Sequence, residues 1–94
     1  MKTRTEKFCK KLFDAGYNKV IIEAVRPPEF WNRNRTMVIQ QIKCYTKRKW
    51  PKPSCSDILT KLKLPITGMA HPGFCQYSVE HKVDEEFEAG TYTK

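Results

Sequence analysis

Proline sets the upper limit on every element this chain can form. Prolines stand at positions 27, 28, 51, 53, 65 and 72. Each removes a backbone N–H donor and fixes φ, so neither a long helix nor a central strand runs through them undisturbed. What lies between is a series of short segments, each readable by its own periodicity.

Thr3-Arg4-Thr5-Glu6 carries a reciprocal capping pattern, and Phe8, Leu12 and Ala15 follow at helical spacing before Gly16. This predicts a first helix over residues 4–15. Residues 19–25, KVIIEAV, are rich in branched side chains and too short for a stable helix, so they read as a strand ended by Pro27 and Pro28. Pro28 then suits the first position of a second helix, and Glu29 suits the positive end of its dipole. From there to Lys49, Trp31, Val38, Ile42 and Tyr45 share a narrow arc at about 100° per residue, with Arg33, Gln40, Lys43 and Lys47 opposite. The expectation is a helix over 28–49 with one packing side and one basic side.

Trp50-Pro51-Lys52-Pro53 breaks that helix, and Ser54 or Ser56 caps a shorter one over 57–63, with Ile58, Leu59 and Leu62 facing inward. Leu64-Pro65 ends it. Residues 65–73, PITGMAHPG, read as a loop whose Leu64-Pro65 and His71-Pro72 bonds are candidates for the cis state, slow enough in exchange to gate docking. In 74–79 Cys75, Tyr77 and Val79 alternate with polar neighbours, giving a second strand to pair with 20–25. Residues 84–94, DEEFEAGTYTK, are acidic and poor in branched residues and read as a flexible tail. The expected fold class is therefore α+β: one small domain over 1–83, about three helices and a two-stranded sheet, with an acidic flexible tail over 84–94.

Charge narrows the partners. Residues 1–63 hold 16 basic and 5 acidic side chains, residues 64–94 hold 2 and 5, and the net is +8. Residues 33–55 alone carry seven Lys or Arg and no acid. Such a balance points to nucleic acid or an acidic protein face. In a chain of 94 residues, which buries only about 60–65% of its unfolded surface, Phe8, Leu12 and Phe13 are needed for the core, so a membrane-surface role for the first helix is not expected despite Lys7, Lys10 and Lys11 beside them. The N-terminus has no unbroken apolar run of the kind a signal peptide or span requires, which predicts a cytoplasmic protein with reduced cysteines.

Those cysteines, Cys9, Cys44, Cys55 and Cys75, form no CxxC pair and are assigned to packing. Of Cys55, His71, Cys75 and His81, only His71 and Cys75 approach the spacing of a zinc ligand pair, so neither a metal nor a cofactor is expected. There is no GxSxG, no glycine-rich phosphate loop and no HExxH, and the carboxylates cluster in the expected tail; the reading is not an enzyme and no small-molecule substrate. A helix-turn-helix around WPKPS is disfavoured, since its turn is proline-rich and the helix ends in Lys61-Leu62-Lys63-Leu64, poor in side chains that read bases bidentately.

Taken whole, with its basic stretch RNRTMVIQQIKCYTKRKWPKP and proline-bounded LPITGMAHPGF, the chain resembles the small accessory proteins that temperate phages make early in infection, most of all the anti-RecBCD type. The resemblance implies docking on a host exonuclease–helicase in the host cytoplasm and inhibition or modulation of it. On that expectation Arg33, Lys43, Lys47, Arg48, Lys49 and Lys52 supply the electrostatic contacts, and Trp50, Pro65, Ile66, Met69 and Phe74 the apolar anchors. The alternative is direct DNA or RNA binding, the same cations meeting phosphates while Trp31 or Trp50 stacks on a base.

Overall fold

The computed structural model describes residues 3–25 and 37–94. Helix α1 spans Arg4–Ala15, followed by strands β1 (Tyr17–Val25) and β2 (Met37–Thr46), helix α2 (Cys55–Lys61), and strands β3 (Ile66–His71) and β4 (Phe74–Lys82). A 3-10 turn (Val83–Glu85) leads to β5 (Gly90–Thr93). The strands form one antiparallel sheet in the order β3-β4-β2-β1-β5.

Capping residues start both helices, although α2 runs over Cys55–Lys61 rather than the expected 57–63. The Glu6 amide donates to Thr3 Oγ1 at 3.1 Å, and Gly16, with φ 121°, closes α1. At α2 the Asp57 amide donates to Ser54 Oγ and the Ser54 amide to Asp57 Oδ2, both at 3.2 Å, a complete capping box.

Three expectations are corrected. The helix expected over 28–49 is strand β2 over 37–46, its first nine residues lying outside the described ones. Val38, Ile39, Ile42 and Thr46 are β-branched and favour the pleat. The expected loop 65–73 is mostly edge strand β3, turned at Pro72-Gly73 into β4. Gly73 has φ 85°, which only glycine adopts readily, and a Cβ on Gly68 would meet the Gln76 carbonyl at 2.1 Å, so β3 lies flush against β4 only with glycine there. The sheet is thus five-stranded rather than two-stranded, and there are two α-helices among the described residues rather than three. β4 pairs with β2 and β3, while β1 pairs with β2 and β5. Among the described residues the cis peptide bond is Lys52–Pro53, not either of the two expected.

The third correction is the tail. β5 pairs with β1, Val20 opposite Tyr92, and Phe87 is buried against Phe8 with ring centroids 4.5 Å apart and nearly parallel planes. The Gln40 side chain secures this segment: its Nε2 donates to the Phe87 carbonyl at 2.7 Å and its Oε1 accepts from the Phe87 amide at 2.9 Å. Acidity at Asp84, Glu85, Glu86 and Glu88 disguised a segment anchored by one aromatic ring.

Alternation divides the sheet into two faces. Val20, Ile22, Gln40, Ile42, Cys44, Cys75, Tyr77, Val79 and His81 point inward and are buried. Phe8, Cys9, Leu12 and Ala15 of α1 and Cys55, Ile58 and Leu59 of α2 cover them. Each fully buried Leu, Ile or Phe contributes about 1.5–3 kcal/mol. The opposite face has no described element packed on it.

Candidate functional site

On that open face the register lines up side chains from neighbouring strands. Lys19 faces Tyr45, and Tyr45 faces Phe74, across the three central strands at the end of the sheet. The rings of Tyr45 and Phe74 stand 5.0 Å apart, tilted by 45°, and the Lys19 ammonium lies 5.6 Å from the Tyr45 ring centre. Both residues are half-buried. One row further along, Lys43 pairs with Glu23 at 3.6 Å, an exposed contact of small energetic weight.

The chain leaving β2 at this end is the basic segment Lys47, Arg48, Lys49 and Lys52, all exposed, with Trp50 among them. Hydrogen bonds hold the segment to the fold. Thr46 Oγ1 donates to the Gly16 carbonyl at 2.8 Å and accepts from the Arg48 amide at 3.0 Å. The Gly73 amide reaches the Lys49 carbonyl at 3.4 Å, and the Thr46 amide the Gly73 carbonyl at 3.0 Å. Cations, Trp50 and the aromatic pair therefore share one end of the molecule.

Of the residues expected to contact a partner, Lys43, Phe74, Lys47, Arg48, Lys49, Lys52 and Trp50 gather at or next to this end. Arg33 and Trp31 lie outside the described residues. Met69 sits on the open face of β3, 63% exposed, opposite Gln76, whereas Ile66 turns inward and packs on the core. Pro65 is exposed before β3. The described cations do not form a helical stripe: β2 alternates, so Lys43 faces outward while Lys47, Arg48, Lys49 and Lys52 belong to the loop. Tyr45 and Lys19 were not among the expected contacts, and the signal for both was register, which one segment read alone does not contain.

Behind the aromatic pair lies a second cluster. Cys44 and Cys75 precede and follow Tyr45 and Phe74 in their strands, face inward, and meet Cys55 at the start of α2; the three sulfurs lie within 4.8 Å of one another. Cys44 Sγ donates to Cys55 Sγ at 3.5 Å. The Tyr17 hydroxyl oxygen accepts from the Cys55 amide at 3.1 Å and from the Cys75 thiol at 4.0 Å. Hydrogen bonding with the Cys44 and Cys55 thiols, and then with Tyr17, holds the Cys75 thiol down to about 4 against the opposing effect of burial. Cys44 is pushed far up, because its proton is committed to Cys55 and then Cys75, and burial adds to this. Cys55 is lowered by the bond from Cys44, but its bond to Cys75 and its burial carry it well above the usual range. Tyr17 and Cys75 both line a cavity of about 170 Å³, with Lys49, Trp50 and His71 among its other walls.

The four residues weighed from sequence as zinc ligands do not converge. Cys55 and Cys75 meet, but with Cys44 as their companion; His81 is hydrogen-bonded to Gln40 at 2.6 Å instead. No described helix is long and apolar enough to cross a membrane. No protein family, curated protein or solved structure matches this chain.

Proposed function

We propose that this protein is a non-enzymatic binding protein whose open sheet face and adjoining basic loop take up single-stranded nucleic acid. The observation that carries the reading is Tyr45 beside Phe74 on neighbouring central strands of a sheet face on which no described element packs, with Lys19 over the first ring and the exposed run Lys47, Arg48 and Lys49 beginning two residues after Tyr45. A sheet that displays aromatic rings offers unpaired bases a stacking surface, and every base has a face to stack. The cations neutralise the phosphates that flank a stacked base. In this mechanism Lys19 leaves the Tyr45 ring for a phosphate as a base takes its place, and Trp50 supplies a further stacking group at the edge.

Fluorescence anisotropy with a labelled single-stranded oligonucleotide tests it. Tyr45→Ala and Phe74→Ala should each weaken binding by about 5- to 100-fold, the span of roughly 1–3 kcal/mol per stacked base. Unchanged affinity in both variants, or no binding by the parent protein at low salt, would refute the stacking role.

We propose as a second reading that the same end docks on a larger host enzyme that handles nucleic acid, such as an exonuclease–helicase, and modulates it. It is favoured by the exposure of Trp50 (60%) and Met69 (63%), large apolar groups on hydrogen-bonded segments. Such groups are typical anchors of protein interfaces. Here Met69→Ala should weaken a purified enzyme complex while leaving oligonucleotide binding intact. Equal loss in both assays would remove the distinction on which this second reading depends.

A further inference from the structure

We propose that Cys44, Cys55 and Cys75 form a zinc site that joins β2, α2 and β4 directly behind the aromatic pair. The site is independent of what the open face binds.

Geometry comes first. The three sulfurs come from three different elements, all are buried, and all lie within 4.8 Å of one another. Tetrahedral zinc with Zn–S of about 2.3 Å sets its sulfurs about 3.8 Å apart. Movements of an ångström or less therefore close the triangle on an ion. Single thiols bury readily as small apolar groups, so burial alone does not call for an ion. What does is convergence: three separate elements bring their sulfurs to one point, where a shared ion uses all three at once.

The chemistry of the donor set agrees. Three thiolates are soft ligands and select a thiophilic ion such as Zn²⁺ over Mg²⁺ or Ca²⁺. On binding, the three thiol protons leave to solvent, and three negative sulfurs face two positive charges. With the Cys75 proton gone, the Tyr17 hydroxyl, 4.0 Å from that sulfur and held at its oxygen by the Cys55 amide, is placed to turn its own proton toward the thiolate and answer the residual negative charge. Lys49 lines the cavity shared with Tyr17 and Cys75. That cavity lets a water reach the ion and complete its tetrahedron.

The consequence is mechanical. Cys44 and Cys55 bracket the segment that carries Lys47, Arg48, Lys49, Trp50 and Lys52. An ion held between them and Cys75 closes this segment onto the sheet and fixes its cations relative to Tyr45 and Phe74.

Protein purified under reducing, chelator-free conditions and analysed for elements should contain one zinc per chain. Titration of the zinc-free, reduced full chain with Co²⁺ should produce a thiolate-to-cobalt charge-transfer band and the d–d bands of tetrahedral cobalt, both abolished by one equivalent of Zn²⁺. Stripping the ion should lower the thermal midpoint by roughly 10 °C or more. Cys55→Ala should lose the bands, and Cys9→Ala should keep them. Because Cys55→Ala can itself impair folding, the cobalt titration of the parent chain is decisive: no charge-transfer band together with no stoichiometric zinc overturns the site, and so does a native Cys44–Cys55 disulfide found by mass spectrometry. Tyr45→Ala and Phe74→Ala should retain full zinc, so loss of oligonucleotide binding and loss of the ion are separable results.

Discussion

The covered face of the sheet contains two groups of polar atoms, and they are handled differently. At one end Gln40, His81 and the Phe87 backbone meet: the Gln40 amide spends both its oxygen and its nitrogen on Phe87, and His81 Nε2 donates to the same oxygen. At the other end three thiols and a phenol face one another through long contacts to sulfur. The first group is joined by strong, directional bonds, with only His81 Nδ1 left over, and has a structural task, to hold residues 86–88 on the core. The second makes only weak contacts to sulfur and gives the fold no comparable bond. Directional bonds mark the first as architecture, whereas the convergence of three sulfurs from separate elements is what makes the second a candidate ligand site.

Stability measurements can break this comparison. Phe87→Ala should cost the most, about 3–5 kcal/mol in urea unfolding, by emptying the space between Phe8 and His81. Gln40→Ala should follow at about 2–4 kcal/mol, since it strands the Phe87 amide and carbonyl and also the His81 ring. In zinc-free protein Cys55→Ala should cost only about 1–2 kcal/mol, the loss of a small buried side chain. If the cysteine change is as damaging as the Gln40 change without any ion present, the two clusters are equivalent and the contrast fails.

How much of this was legible follows the same division. Elements marked by local chemistry were readable: Thr3 and Gly16 bound α1, Ser54 caps α2, and the alternation of Cys75, Tyr77 and Val79 lies within β4. β2 was not, because its inward row includes polar Gln40 and its outward row includes Tyr45. The spacing of Val38, Ile42 and Tyr45 then imitates a helix, although Tyr45 and Ile42 face opposite sides of the sheet. Gln40 is buried only because Phe87, distant in sequence, supplies its partners. β3 was hidden by Gly68, whose missing side chain looks like a loop signal until Tyr77 and the Gln76 carbonyl are seen against it. The thiol cluster was hidden because each ligand stands alone in its own element, so no spacing rule detects it. The cations were legible as a stretch, but not their neighbours Lys19 and Tyr45, which only strand pairing brings to them.

The open face makes a milder prediction. Replacing Lys47, Arg48 and Lys49 together by Ala should move stability by no more than about 0.5 kcal/mol per site, as expected for exposed positions. The same triple change should flatten the salt dependence of oligonucleotide binding by about 2 in the log–log slope, near 0.7 per cation for a single strand. An unchanged slope would separate these cations from the aromatic pair despite their proximity.

The smallest effect expected is a pH dependence confined to the closed cluster. Burial, aided by the Arg4 charge and opposed by Glu86 and Glu85, lowers the His81 pKa from its ordinary 6.5. His81 Nε2 already donates to Gln40, and Nδ1 has no hydrogen-bond partner among the described residues; the Glu85 backbone favours the charged ring by less than burial opposes it. The unfolded chain therefore binds the proton more readily than the folded one. Stability is then complete above about pH 6.5 and declines as the pH falls from there toward the lowered folded value. Unfolding midpoints recorded between pH 8 and 5 should show this decline in the parent chain and lack it in His81→Gln, whose amide can still donate to Gln40. A decline of equal size in both would assign the pH dependence to other groups and leave His81 as a packing residue whose charge never changes.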